Sequence, residues 1–204
     1  AFVGAPCLLV AGAFAGRALR RRASDRALVE RALIERAGPG DLPEVMRLEE
    51  AGFGSGIRER EEVFRARMET FPEGFVALRR GGETRGYLCA ERWGAVPPAE
   101  ARWFELGHDP ASRHDPTGAV LYLASMTVDP ALRGAGLGAR LFNEGIALIR
   151  ASAPGIETEL LIVNEAWAEA RRIYEAAGFT AYGVIGSFFP NPYGPPTAAV
   201  VMRR

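Results

Sequence analysis

The stretch LYLASMTVDPALRGAGLGARLF, Leu121 to Phe142, decides how the rest of the chain is read. It opens inside an almost wholly apolar run, Ala119 to Val128, of the kind that a strand covered on both faces requires. It closes in the start of a helix over about Leu137 to Ala151, with Leu141, Ile146 and Ile149 available for a buried face. Between the two stand Arg133 and glycines at 134, 136 and 138. Glycine lets backbone approach a ligand closely, and the unpaired N–H groups of a starting helix favour phosphate oxygens. Arg133 adds a fixed positive charge. The physics of the segment is anion binding, and a pyrophosphate suits it.

Gly134, Gly136 and Ala139 also satisfy the degenerate G-x-G-x-x-G/A dinucleotide fingerprint. The context argues against that reading. In a dinucleotide-binding unit the glycines follow the first strand directly, and an acid at the end of the next strand reads the ribose. Here five residues including Pro130 intervene, and the next apolar run, Leu160 to Val163, ends in Asn164.

Outward from this segment the chain alternates strand and helix periods. A short strand is expected near Leu33 to Ala37. A helix should follow from a D-x-x-E capping box at Asp41 and Glu44, with Pro43 in its first turn, and run to about Ala51. Ile57, Phe64 and Met68 suggest a second amphipathic helix ending near Thr70. Phe75 to Arg79 and Gly86 to Glu91 read as a hairpin about the turn Arg80 to Glu83. Trp93 to Pro116 is a long Pro-rich connection, and such connections tend to carry function. After Leu160 to Val163 come a helix from Ala166 to Ala177 stopped by Gly178, and two strands, Phe179 to Ser187 and Thr197 to Met202.

With 204 residues, 48% of them apolar, one core is the expectation, carried by residues 32 to 204, with residues 1 to 31 as an extension. Ala1 to Gly16 carry no charge, and Arg17, Arg20, Arg21 and Arg22 follow at once. The run is shorter than a bilayer span, so a processed targeting remnant, a surface anchor and a packed helix all stay open. Ala at position 1 is compatible with a chain that begins inside a longer precursor. Membrane contact, if any, is expected only through this extension, and a cytoplasmic location otherwise, with an organellar or membrane-associated one if the extension is a targeting remnant.

The 25 basic residues, all Arg, balance 25 acidic ones, which removes the electrostatic footprint of a dedicated nucleic-acid binder. Cys7 and Cys89 fit neither a disulfide framework nor a metal or redox pair, and no metal site is expected.

Arg133, Gly136 and Gly138 match, in register, the acyl-CoA-binding pattern of the GNAT superfamily of N-acetyltransferases, and the segment resembles that motif. The run Ile173, Tyr174, Glu175, Ala176, Ala177, Gly178, Phe179 is similar to the family's aromatic helix end and the strand after it. The resemblance covers roughly Leu33 to Arg204. It implies an α/β fold with a mixed sheet of about seven strands, splayed between the fourth and fifth and flanked by about four helices.

The resemblance further implies acetyl-CoA as co-substrate and a primary amine, a small molecule or a protein N-terminus, as acceptor, in a direct ternary-complex transfer by a monomer or homodimer. The backbone of Met126 and Val128 would pair with the pantetheine arm, and Arg133, Gly134, Ala135, Gly136, Leu137, Gly138 and Ala139 would cradle the pyrophosphate. Tyr174 matches the position of the general acid that protonates the departing thiolate; a phenol with a pKa of about 10 keeps its proton at neutral pH.

The sequence departs from the family at the base, since Ile162 and the apolar run Val120 to Ala124 stand where relatives place an acid or His. His108 or His114, in the long connection with Glu105, Asp109 and Asp115, are the candidates, because His titrates nearest neutral pH. Tyr122 and Ser125 are weaker relay candidates. Trp167 replaces a cofactor-contacting Asn, and Asn164 is expected to take part of that role. Two other readings stay open: a domain that binds acyl-CoA or a protein without turnover, and a membrane-tethered interaction module.

Overall fold

The computed structural model describes residues 32–204, so the expectations for the extension lie outside the described residues. Seven strands form one mixed sheet: β1 (Leu33–Arg36), β2 (Phe75–Arg80), β3 (Glu83–Trp93), β4 (Val120–Val128), β5 (Thr158–Asn164), β6 (Thr180–Phe189) and β7 (Thr197–Arg203). Their order is β1-β2-β3-β4-β5-β7-β6, with β4 and β5 parallel and every other pair antiparallel. The described α-helices are α1 (Leu42–Gly52), α2 (Glu61–Thr70), α3 (Leu137–Ser152) and α4 (Ala168–Ala176). None is long and apolar enough to cross a membrane.

Strand alternation assigns each face its helices. Val76, Leu78, Leu88 and Ala90 point to the face where Leu141, Phe142, Ile146 and Ile149 of α3 bury themselves. Phe75, Ala77, Tyr87 and Cys89 point the other way, onto Val45 and Leu48 of α1 and Phe64 and Met68 of α2. Phe64 is fully buried with Phe75 and Tyr87 around it, a burial that contributes about 2–3 kcal/mol. The hairpin between β2 and β3 turns on Gly81 and Gly82 at φ 63° and 83°, a pair of left-handed positions that a two-residue turn demands.

Two local expectations are corrected. Asp41 does not cap α1 through its side chain: its carboxylate takes the Gly38 N–H at 2.9 Å and pairs with Arg79 at 2.7 Å and Thr84 Oγ1 at 2.9 Å. A buried acid is worth more tying α1 to the hairpin than to its own first turn, and Glu44 pairs with Arg47 instead. Ile57 is not helical; α2 starts at Glu61, and Ile57 lines the cavity described next.

Candidate active site

β4 and β5 begin as neighbours and then part. Their pairing runs from Val120 opposite Thr158 to Leu123 opposite Leu161 and stops, although β4 continues to Val128 and β5 to Asn164. On the other side of β4 the ladder skips Ala124, because Cys89 faces Ser125 and Ala90 faces Leu123. An extra residue on one strand bends and twists it. The bulge at Ala124 therefore turns β4 away at the residue where pairing with β5 ends, and the following backbone, Met126 and Val128 included, faces the gap without a strand partner.

At the end of the gap the chain makes its glycine loop. Asp129 holds the first turn by accepting the Ala131 N–H at 2.9 Å, and is itself held by Arg85 at 3.3 Å and Arg47 at 3.6 Å. Gly134 and Gly136 sit at φ 80° and 85°, and a Cβ on either would meet nothing within 4 Å. The backbone is thus bare toward open space, and Gly136 caps α3, whose first amides have no acceptor inside the helix. Buried Leu137 anchors that helix start, while exposed Arg133 stays beside Val128, whose carbonyl oxygen accepts its Nε at 3.4 Å. Ala135, Gly138 and Ala139 are half-buried around the same helix end.

A cavity of about 380 Å³ opens on the splay. Ala124, Ser125 and Met126 of β4 and Ile162 of β5 line it, as do Trp167 and Tyr174. Phe188 and Phe189 of β6 and Phe104, Leu106 and His108 of the long connection line it too. Trp167 packs on Phe53 at 5.9 Å and on Phe189 at 5.5 Å between ring centroids, so its indole is part of an aromatic wall. Asn164 is buried and is not among the cavity-lining residues; its Oδ1 accepts the Ala166 N–H at 2.9 Å.

Tyr174 lines the cavity with its ring against Phe142 and Phe179, at 4.8 and 6.4 Å between centroids. Burial pushes its phenol up to about 12, so it holds its proton until a strong base forms beside it.

Beneath the cavity lies a buried polar network that sequence reading missed. Glu91 accepts Arg67 Nε at 2.8 Å, His108 Nε2 at 2.9 Å and Trp93 Nε1 at 3.0 Å. Burial would raise its carboxyl, but the hydrogen bond from His108 and the charge of Arg67 outweigh it and hold Glu91 at about 2. Arg67 also reaches Glu59 at 3.5 Å, and Glu59 takes the Gly107 N–H at 3.1 Å, which ties the long connection to α2. Glu49 and Glu59 both line the cavity.

The structure places the two histidines differently. His108 reaches the cavity, but its Nδ1 faces the Glu105 carbonyl oxygen at 2.8 Å and its Nε2 faces Glu91. Both ring nitrogens are thus engaged within the protein rather than turned to open cavity. His114 is not among the cavity-lining residues; its ring lies on Phe71 at 5.8 Å. Tyr122 stacks on Trp93 at 4.3 Å, and burial raises its phenol.

The missed acids did leave a signal. Leu42, Val45 and Glu49 fall at helical spacing on one face of α1, as Phe64, Arg67 and Met68 do on α2. A charge on an apolar face needs a partner indoors. Among the described residues no group of His, Cys, Asp and Glu is arranged to hold a metal ion.

The family description "Acetyltransferase (GNAT) family" matches residues 42–179. Over 99 residues the chain is 34% identical to a mycothiol acetyltransferase of Thermobispora bispora, a match that takes in 48% of this chain and 31% of that protein. The chain thus spans less than a third of that curated relative. Among solved structures, the GphF GNAT-like decarboxylase in complex with isobutyryl-CoA superposes with a TM-score of 0.69 at 23% identity, over 84% of this chain and 98% of that one. The ribosomal-protein-S18-alanine N-acetyltransferase from Escherichia coli gives 0.63 at 19%, over 84% and 92%. Both share the fold, and the splay after Leu123 with a glycine loop at its end is where this chain carries the family's motif: it belongs to the GNAT acetyltransferase family.

Proposed function

We propose that the protein transfers the acetyl group of acetyl-CoA directly to a primary amine, a small molecule or a protein N-terminus, within a ternary complex. The observation that carries the reading is the gap itself. One strand edge is left unpaired from Ala124 onward, a bare glycine loop and helix start stand at its far end, and a cavity with aromatic and acidic walls opens beside it.

The residues present fit acetyl-CoA. Met126 and Val128 offer backbone groups for the amides of its pantetheine arm. The amides of Gly134 to Ala139, with the charge of Arg133, suit its pyrophosphate. An acyl carbon held near Val128 would place its oxygen by a backbone N–H, where developing negative charge is stabilised without covalent catalysis. Tyr174 then gives its proton to the departing thiolate. With no acyl-enzyme in this mechanism, the Cys89 thiol, which burial pushes up to about 12, has no part in it. A cytoplasmic location, where acetyl-CoA is available, belongs to the same reading.

The test is a panel of primary amines and N-terminal peptides with acetyl-CoA, followed by release of free CoA and by mass spectrometry of the acceptors. Acetylation of at least one class is expected. Acetyl-CoA binding without release of CoA across the panel would favour a binding domain without turnover.

A further inference from the structure

An amine with a pKa near 10 arrives as an ammonium and must lose a proton before attack, while both ring nitrogens of His108 are engaged within the protein and His114 does not line the cavity. A different set of groups is aligned for that task. Ser125 stands two residues beyond Leu123, at the point where β4 leaves β5, and lines the cavity. Its Oγ lies 2.9 Å from the Tyr87 hydroxyl, and Tyr87 hydrogen-bonds Glu49 Oε2. The other oxygen of Glu49 accepts the Glu59 N–H at 2.8 Å.

Directions follow from donor counting. Tyr87 has one O–H, and the carboxylate can only accept it, so in the Ser125 contact the serine donates. That leaves the Ser125 lone pairs for a donor in the cavity. The chain from Ser125 through Tyr87 to Glu49 is oriented throughout and ends on a base.

We propose that Ser125, Tyr87 and Glu49 form a proton relay that deprotonates the acceptor amine, an assignment that rests on the amine-acetylation reading. The ammonium N–H bond breaks and its proton passes to Ser125 Oγ, while the Ser125 proton moves to Tyr87 and the Tyr87 proton to Glu49. The electron pair of the broken bond stays on nitrogen and forms the new N–C bond. As the C–S bond breaks, the thiolate takes the proton of Tyr174, and the second proton, lost from nitrogen as the amide forms, restores the Tyr174 hydroxyl. Glu49 finally returns its proton to water.

The surroundings of Glu49 suit a base. It is 2% exposed, and burial, helped by the nearby Glu59 carboxylate, raises its carboxyl against the opposing pull of the Glu59 N–H, the Tyr87 hydroxyl and the Arg67 charge. The groups facing it are Glu59 before α2, Arg67 on α2, Tyr87 and Cys89 on β3, and Ser125 on β4 beyond Tyr87. Arg67 is already shared between Glu91 and Glu59, and the Cys89 thiol stays neutral.

The relay is tested with the full chain, acetyl-CoA and the best amine of the panel. Glu49→Gln is expected to lower kcat by about 100-fold, with KM for acetyl-CoA little changed and the acidic limb of the kcat/KM profile lost. Tyr87→Phe and Ser125→Ala, which cut the chain at separate links, are each expected to lower kcat by about tenfold or more.

A Ser125→Ala or Glu49→Gln enzyme with kcat within about threefold of the parent and an unchanged acidic limb would overturn the relay. If Glu49→Gln does not fold, Ser125→Ala, which deletes one oxygen at the cavity wall, decides alone. A parent protein that binds acetyl-CoA but acetylates no amine of the panel overturns the acetylation reading and the relay that rests on it, an outcome distinct from an active parent whose Ser125→Ala and Glu49→Gln variants are unimpaired.

Discussion

Replacing Glu91 by Gln tests the energetics beneath the cavity. The carboxylate is 3% exposed and joins Arg67, His108 and the Trp93 indole. A carboxyl that moves from 4.5 in the unfolded chain to about 2 in the folded one favours the folded, ionised state by roughly 3 kcal/mol. The folded value is depressed, so the contribution is fully present above 4.5 and is lost as pH falls toward 2. Urea denaturation at pH 7 should therefore find Glu91→Gln about 3 kcal/mol less stable than the parent, and at pH 3 only about 1 kcal/mol less. The gap narrows because the parent weakens. A difference that is the same at both pH values, or below about 1 kcal/mol at pH 7, would refute the reasoning, since the ion pairs would then contribute no more than exposed ones do.

Three further outcomes are expected. Tyr174→Phe should lower kcat by about 100-fold while KM for acetyl-CoA stays within about twofold, measured by CoA release; an equal rise in KM would point to a packing role instead. Gly136→Val forces a branched side chain into a left-handed position at φ 85°, a cost of about 1–2 kcal/mol, and should weaken acetyl-CoA binding by about tenfold or more in calorimetry while the fold persists. In Gly118→Ala the added Cβ would lie 2.2 Å from the Trp93 carbonyl oxygen, so β3 or β4 must shift, and denaturant melts should show a loss of about 1–3 kcal/mol.

The segment from β4 to α3 was legible because three signals coincide there: an apolar run, glycines and a helical period. The hairpin was legible from Gly81 and Gly82. Asp41 was misread, because a capping pattern is local while its partner Arg79 lies on another strand. Ile57 was misread because a residue that lines a cavity is as apolar as one on a helix face. The bulge at Ala124 leaves no trace in a strand that is apolar on both faces, so the residue at which the strands part could be expected only from resemblance. Glu49, Arg67 and Glu91 come together across α1, α2 and β3, and spacing within one element cannot pair them. Their position on apolar helix faces was visible for Glu49 and Arg67; the partner was not.

Single-turnover transfer from acetyl-labelled acetyl-CoA tests the central claim most directly. Without an amine, intact-protein mass spectrometry should find no acetyl group on the chain. With an amine from the accepted class, the label should appear on the amine as an equal amount of free CoA is released. Acetyl found on the protein before the amine is added, or CoA released with no acetylated amine, would contradict direct transfer at the splay.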